Sequence, residues 1–230
     1  MAESGERKKI TVDIVSDIVC PWCFIGKRRL EIAVEMAPDL DVELRWRPFQ
    51  LDSSIPPGGI SRKEYMDRKF GPERAATVHD RVRAVGAEVG IAFAFEKITR
   101  APNTLDAHRL LFWALEAGCQ ERLKERLMQL YFFEGADVGD HDVLASAAAE
   151  CGMDGDIARA RLSSEEDVDT TRAEIDRIHN LGVNGVPFFI VASKYGLSGA
   201  QPAETLIEAM RQAAKEQAAD LDETAITDNA

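Results

Sequence analysis

An α/β fold with a long helical block set into its middle is what the sequence predicts. Three observations carry this reading. The alternating apolar segment Ile10-Thr11-Val12-Asp13-Ile14-Val15 runs directly into a helical pattern that opens with Cys20-Pro21-Trp22-Cys23. Helical periodicity then dominates from about Ser61 to Leu181, and sheet character returns only at Val186-Pro187-Phe188-Phe189-Ile190-Val191.

The first unit reads strand (10–15), helix (20 to about 37) and strand (Val42 to Trp46), with Pro38 and Asp39 marking the break between helix and second strand. Ser53-Ser54-Ile55-Pro56-Pro57-Gly58-Gly59 is a run of turn formers and marks a boundary. Beyond it, Pro72 opens a helix whose Val78, Val82, Val85 and Val89 form one stripe. Asn103 can cap a helix carrying Leu110, Leu111, Ala114 and Leu115, and the next helix carries Leu123, Leu127, Leu130 and Tyr131. Ser163 and Glu166 have capping-box spacing for a helix bearing Val168, Thr171, Ile175 and Ile178, which Gly182 ends. Five or six helices are expected in this block, with Phe93-Ala94-Phe95 as its one extended segment. Lys194 to Gly199 then supplies a hairpin partner, and a last helix carries Leu206, Ile207 and Met210.

This order is that of a thioredoxin fold with a large all-helical domain inserted in its middle. The expected division is a discontinuous thioredoxin-like domain (9–55 and 182–217), an inserted helical domain (56–181) and a flexible acidic tail (218–230).

With 45% apolar residues the chain can build a sizeable core. A formal net charge of −12 argues against nucleic-acid partners, whose binding needs lysine and arginine to displace counterions. No run approaches the roughly 20 apolar residues that a membrane span requires, so no membrane partner is expected. The N-terminal stretch is charged and lacks an apolar export signal, which leads to the expectation of a cytoplasmic protein. In that reducing setting a CxxC is read as catalytic or metal-binding in preference to structural.

Two thiols three positions apart at a helix start are suited to redox chemistry. The unpaired N–H groups and positive dipole end of the first turn favour a thiolate at Cys20, the expected nucleophile. Cys23, one turn inward on the same face, can resolve a mixed disulfide formed by Cys20. The alternative use of the pair, as half of a zinc site, lacks two further ligands: Cys119 and Cys151 form no second CxxC, and histidines 79, 108, 141 and 179 are scattered, so no metal is expected.

Five ordered motifs resemble the DsbA-like thioredoxin family, and within it the cytoplasmic FrnE-type branch, over about residues 9 to 215. They are Ser16-Asp17-Ile18-Val19-Cys20-Pro21-Trp22-Cys23-Phe24-Ile25-Gly26-Lys27, Arg47-Pro48-Phe49-Gln50-Leu51, Asn103-Thr104 with Ala107-His108-Arg109, Gly185-Val186-Pro187-Phe188-Phe189, and Gly199-Ala200-Gln201. The resemblance implies dithiol-disulfide exchange on protein or small-molecule disulfides, with Cys20 attacking and Cys23 resolving. It implies a cis Pro187 facing the dithiol, with the Val186 backbone free to pair with an extended substrate. Pro21 and Trp22 between the cysteines help set the poise, within a span from about −270 mV for thioredoxin to about −120 mV for DsbA. Trp22 stands where the periplasmic oxidase has histidine, which places this chain between those extremes.

The remaining positions have plainer readings beside the functional ones. Asn103, His108 and Gln201 are candidate substrate contacts, with helix capping the plain reading for Asn103 and core packing for His108. Phe188 and Phe189 fit either an apolar substrate patch with Trp22 or the core. Cys119 and Cys151 read as buried thiols or as a second exchangeable pair. Apart from the dithiol no cofactor is expected, and glutathione is a candidate reductant or substrate, although Gly199-Ala200-Gln201 lacks the Ser-Asp pair usual in glutathione-using relatives. Two competing classes remain: a glutathione-dependent isomerase or transferase, of the 2-hydroxychromene-2-carboxylate isomerase or kappa-class type, and a non-catalytic redox- or zinc-regulated chaperone module. The former usually carries a hydroxyl residue where Cys20 stands.

Overall fold

A computed structural model describes the backbone of residues 7–75 and 77–227, with side chains as far as residue 219. Strand β1 (Lys8–Ser16), helix α1 (Pro21–Glu35) and strand β2 (Leu40–Pro48) form the first unit. The two strands pair in parallel from Lys8↔Leu40 to Ser16↔Pro48, so a crossover must join them, and α1 is that crossover.

The insertion follows. Strands β3 (Ile60–Ser61) and β4 (Arg100–Ala101) pair as a short antiparallel ribbon, enclosing α2 (Arg62–Phe70), α3 (Pro72–Ala75) and α4 (Asp80–Glu88). Then come α5 (Leu105–Glu116), α6 (Gln120–Gln129), a π-helical turn (Leu130–Glu134), α7 (His141–Glu150), α8 (Gly155–Leu162) and α9 (Val168–Asn180). The chain returns through β5 (Phe188–Val191) and β6 (Tyr195–Ser198) to α10 (Ala203–Thr227). The main sheet has the order β2-β1-β5-β6, with β5 antiparallel to both neighbours. This is the predicted thioredoxin fold with its helical insertion.

Period-two alternation assigns the sheet faces. Ile10, Val12 and Ile14 of β1, with Phe189 and Val191 of β5, pack against Leu30 and Ala33 of α1 and Leu206, Ile207 and Met210 of α10. Val15, Phe188 and Ile190 point to the other face, against Phe49, Ile178 of α9 and Val183. Burying each such side chain contributes about 1.5–3 kcal/mol. The pleat therefore separates Phe188 from Phe189, and Phe189, with no exposure, belongs to the core rather than to a shared substrate patch.

Several local expectations are corrected. The insertion holds more and shorter helices than five or six, because side chains of Ser61, Asp140 and Asp154 cap α2, α7 and α8 individually. Pro72 opens only the short α3, and the valine stripe belongs to α4, with Val82 and Val85 inside it, Val78 before it and Val89 at its C-cap. Ser163 does not begin the helix carrying Ile175: it ends α8, its hydroxyl donating to the Arg159 carbonyl, while Glu166 pairs with Arg161. Phe93 and Ala94 are not extended strand, and Phe95 opens a 3-10 turn; the insertion's extended residues are those of β3 and β4. Residues 218–227, expected as flexible tail, continue α10, consistent with the high helix propensity of Ala218 and Ala219, and 228–230 lie outside the described residues. Among the described residues no helix is long and apolar enough to cross a membrane.

Two contacts fix α1 in place. Lys27, 2% exposed, pairs with Glu31 and, across to α6, with Glu121 at 2.7 Å and Glu125 at 2.9 Å. Burial disfavours its ammonium, but the three carboxylates outweigh burial and hold its pKa above the ordinary lysine value. On the opposite side, Gly26 lets Pro187 lie against the helix backbone: a Cβ at residue 26 would stand 2.9 Å from Pro187 Cγ and 3.2 Å from Phe189 Cζ. Both neighbours are held, so Gly26→Ala is expected to destabilise the fold by about 1–3 kcal/mol through overpacking. Urea denaturation followed by circular dichroism checks this, and an unchanged midpoint would contradict the close approach.

Candidate active site

The turn from β1 into α1 builds the dithiol. Cys20 is the N-cap residue of α1, in extended backbone conformation, and the Cys23 N–H donates to its Sγ at 3.4 Å. Pro21 follows at the first helical position, where its missing N–H costs nothing. Cys20 is 3% exposed and its Sγ lies 3.7 Å from the Val186 carbonyl oxygen, to which the thiol can donate. The Val186–Pro187 peptide is cis, and the Gly199 N–H donates to the Pro187 carbonyl at 2.8 Å, so the loop before β5 and the turn before α10 meet at the dithiol.

Cys23 lies one step deeper. Burial, reinforced by its contact with Cys20, pushes its thiol well above the ordinary value, with Lys124 of α6 pulling the other way. Lys124 itself has no exposure, and its ammonium sits 5.2 Å from the Trp46 ring centroid with no hydrogen-bond partner among the described residues. Burial lowers its pKa to about 8, against the attraction of Cys23, Asp17, Cys20 and Glu121.

Asp17 and His108 complete a polar cluster beneath the cysteines. Asp17 Oδ2 accepts from the Leu51 N–H at 2.8 Å. His108 Nε2 donates to the Phe49 carbonyl at 2.9 Å, which puts its hydrogen on Nε2, and stands 3.4 Å from Asp17 Oδ1. With that hydrogen directed at Phe49, the contact with Asp17 is electrostatic rather than a second full hydrogen bond. Burial raises the Asp17 carboxyl, but His108, the Leu51 N–H and Lys124 outweigh it, and its pKa falls below the ordinary value. Burial lowers the His108 pKa despite Asp17, so the imidazole is neutral near pH 7.

The residues singled out from sequence divide accordingly. Cys20, Cys23, Pro21, Val186 and Pro187 converge. Trp22 packs partly buried against the insertion core, its ring 5.9 Å from the Arg81 guanidinium of α4. Gln201 lies in the turn beside Pro187 with its side-chain amide donating to the Ser198 carbonyl, while Arg29 of α1 bonds the Ala200 carbonyl at 2.6 Å. His108, 3% exposed, is behind the dithiol and is not a surface contact. The Asn103 amide bonds Gln50, the Ile55 carbonyl and the Leu105 N–H, opening α5 from one residue outside its N-cap, Thr104. Cys119 and Cys151 are both buried in the insertion core, and burial raises the Cys151 pKa, with Cys119 adding to it.

Sequence reasoning passed over Lys124, Asp17, Arg62 and Tyr65. Lys124 had a signal, as the one charged position in the otherwise apolar run Leu123, Leu127 and Met128 that faces the core. Arg62 and Tyr65 had none, since only the fold carries α2 to the cleft beside Asp17 and Val19. There Arg62 donates to the Tyr131 hydroxyl at 3.0 Å, and burial pushes both Tyr65 and Tyr131 up to about 12, leaving them neutral phenols. Among the described residues no group of three or more His, Cys, Asp or Glu side chains could hold a metal ion.

A dithiol at a helix N-terminus, facing a cis-proline loop on a β2-β1-β5-β6 sheet, defines a thioredoxin-fold protein with a helical insertion. The chain belongs to the DSBA-like thioredoxin domain family, whose profile matches residues 11–211. It is similar to the crystal structure of a probable DsbA oxidoreductase from Streptomyces coelicolor, at 35% identity over 89% of each chain with a TM-score of 0.81. Its fold is also that of a 2-hydroxychromene-2-carboxylate isomerase (18% identity, 92% of this chain and 98% of that one, TM-score 0.67). The same fold occurs in the cytosolic disulfide reductase DsbM from Pseudomonas aeruginosa, solved with GSH (16% identity, 92% and 99% coverage, TM-score 0.55).

The lowered Lys124 pKa carries a sign. Between about 8 and the ordinary value of 10.5 the unfolded chain binds a proton that the folded chain does not, so stability rises with pH across that window. Below pH 8 the full cost of burying the ammonium is present. Lys124→Met is therefore expected to be more stable than wild type at pH 7 by about 1–3 kcal/mol, with the gap narrowing toward pH 10.5. Denaturant midpoints at pH 7 and 10 test this, and a gap that widens with pH would refute it.

Proposed function

We propose that the chain is a thiol-disulfide oxidoreductase in which Cys20 attacks a disulfide in a protein or small-molecule substrate and Cys23 resolves the intermediate. The observation that carries the reading is the asymmetry of the pair. Cys20 Sγ meets the Cys23 N–H and the positive end of α1, which favour negative charge on that sulfur. Cys23 is buried and held protonated, so it waits until the first bond has formed.

Attack by Cys20 forms a Cys20-substrate disulfide and releases one substrate thiolate. Cys23 then loses its proton, with Lys124 offsetting the charge on its sulfur, and attacks Cys20 Sγ to give the Cys20–Cys23 disulfide and the second substrate thiol. Two equivalents of a small thiol such as glutathione reset the dithiol and leave as its disulfide, and no other cofactor is required. In this reading the Val186 backbone beside Cys20 pairs with an extended substrate, and Gln201 and Trp22 are candidate contacts. Reset by a thiol pool accords with the cytoplasmic location expected from the sequence.

Cys20→Ser is expected to lower insulin-disulfide reduction below about 1% of the wild-type rate, because it removes the nucleophile. Cys23→Ser is expected to retain the first attack and accumulate a mixed disulfide visible by mass spectrometry. Equal rates for wild type and Cys20→Ser would end the redox reading. Full turnover by Cys23→Ser would instead favour glutathione-dependent chemistry that needs a single thiol.

A further inference from the structure

On the side of β2 away from β1, the edge of the strand, α5, α6 and α9 enclose a cavity of about 320 Å³. Its walls include Trp46, Leu111, Phe112 and Leu115, and Phe112 and Leu115 at its mouth are each 39% exposed. Lys124 and Thr171, also among its lining residues, are 0% and 4% exposed. Neither Lys124 Nζ nor Thr171 Oγ1 has a hydrogen-bond partner among the described residues. Two buried donors without acceptors, one of them cationic, are costly, and both border the same space.

The other polar groups of the lining are engaged. Gln120 bonds the Trp46 backbone and the Leu111 carbonyl, and His108 bonds Phe49. At the rim Glu174 is held by Arg177 at 2.7 Å and lies 3.7 Å from Arg47, which also pairs with Asp13 at 2.6 Å. The lining thus presents three cations, Lys124, Arg47 and Arg177, against one carboxylate, Glu174.

We infer that this cavity is a binding site for a small carboxylate with an apolar body, its carboxylate seated toward Lys124 and Thr171 and its body among Trp46, Leu111, Phe112 and Leu115. Size agrees: an apolar cavity of roughly 150 Å³ holds benzene, so twice that volume accommodates one ring with a short carboxylate arm. Sign agrees too, since an anion supplies the acceptor that both donors lack, whereas Arg47 and Arg177 at the rim are already paired with Asp13 and Glu174. The site lies apart from the Val186–Pro187 face of the dithiol and does not rest on the redox reading. Lys124 adjoins both, facing Cys23 and Cys20 of α1, Asp17 after β1, His108 of α5 and Glu121 of its own helix. Because the ligand needs the ammonium, its affinity falls as pH rises past about 8.

The probe is 3-phenylpropionate, with 3-phenylpropanamide as its neutral counterpart, titrated into the full-length reduced protein at pH 7 by calorimetry and by ¹H-¹⁵N spectra. The expected result is one site with Kd below about 1 mM and amide binding at least tenfold weaker, about 1.4 kcal/mol. The Trp46 indole signal should move while that of Trp22 stays. Lys124→Met and Thr171→Val should each weaken the carboxylate, and Cys20→Ser should bind it as wild type does. Leu115→Glu, at the exposed rim, should also weaken it, and tests the site without altering the buried cluster around Lys124. No binding at that concentration, equal affinity for acid and amide, or undiminished binding by Leu115→Glu would overturn the inference.

Discussion

Charge buried in the seam between the sheet and the inserted helices is the constraint on which the rest of the molecule turns. Asp17 leaves the end of β1, His108 enters from α5 and Lys124 from α6, and all three are at most 3% exposed. An isolated charge there would be expensive. Opposite charges and the Leu51 N–H and Phe49 carbonyl make the arrangement tolerable, and the contacts of His108 and Lys124 require the insertion to be docked on the β2 side of the sheet. The cluster therefore couples the position of the insertion to the electrostatics of Cys23, which no single element could set.

The dithiol gains its asymmetry from the same seam. Cys20 and Cys23 are three residues apart on one helix, yet one meets the Val186 carbonyl and the other lies toward Lys124. Holding that difference requires α1 to be fixed against both layers. Lys27 and Arg28 join it to Glu121 and Glu125 of α6, and Gly26 admits Pro187 on the opposite side. A helix free to shift by an ångström would blur the distinction between attacking and resolving sulfur.

Differences between sequence-based expectation and structure have local physical causes. Ser163 and Glu166 have the spacing of a capping box, but Asp154 starts a helix upstream that consumes Ser163 as its end. Phe188 and Phe189 are adjacent in sequence and opposite in space, because the pleat alternates. His108 looked like a site residue and is one step removed: it supports Asp17 from behind rather than meeting solvent. Asn103 does open α5, from one residue earlier than a standard cap, and its amide also ties Gln50 and Ile55.

By itself the sequence determined the element order, the alternation of β1, the placement of Cys20 at the start of α1 and the family motifs that link residue 20 to residue 187. Those are legible because they depend on spacing along the chain: a period of two or 3.6, a cap, a glycine or a proline. Only the tertiary structure decided which buried groups face one another. Lys124 reads as an interruption of an apolar stripe until α6 is packed under the dithiol, and Arg62 and Tyr65 have no signature at all. The physical reason is that burial and electrostatic partnership are set by contacts between residues far apart in sequence, 97 positions between Arg28 and Glu125 and 166 between Cys20 and Val186, and short-range pattern carries no record of them.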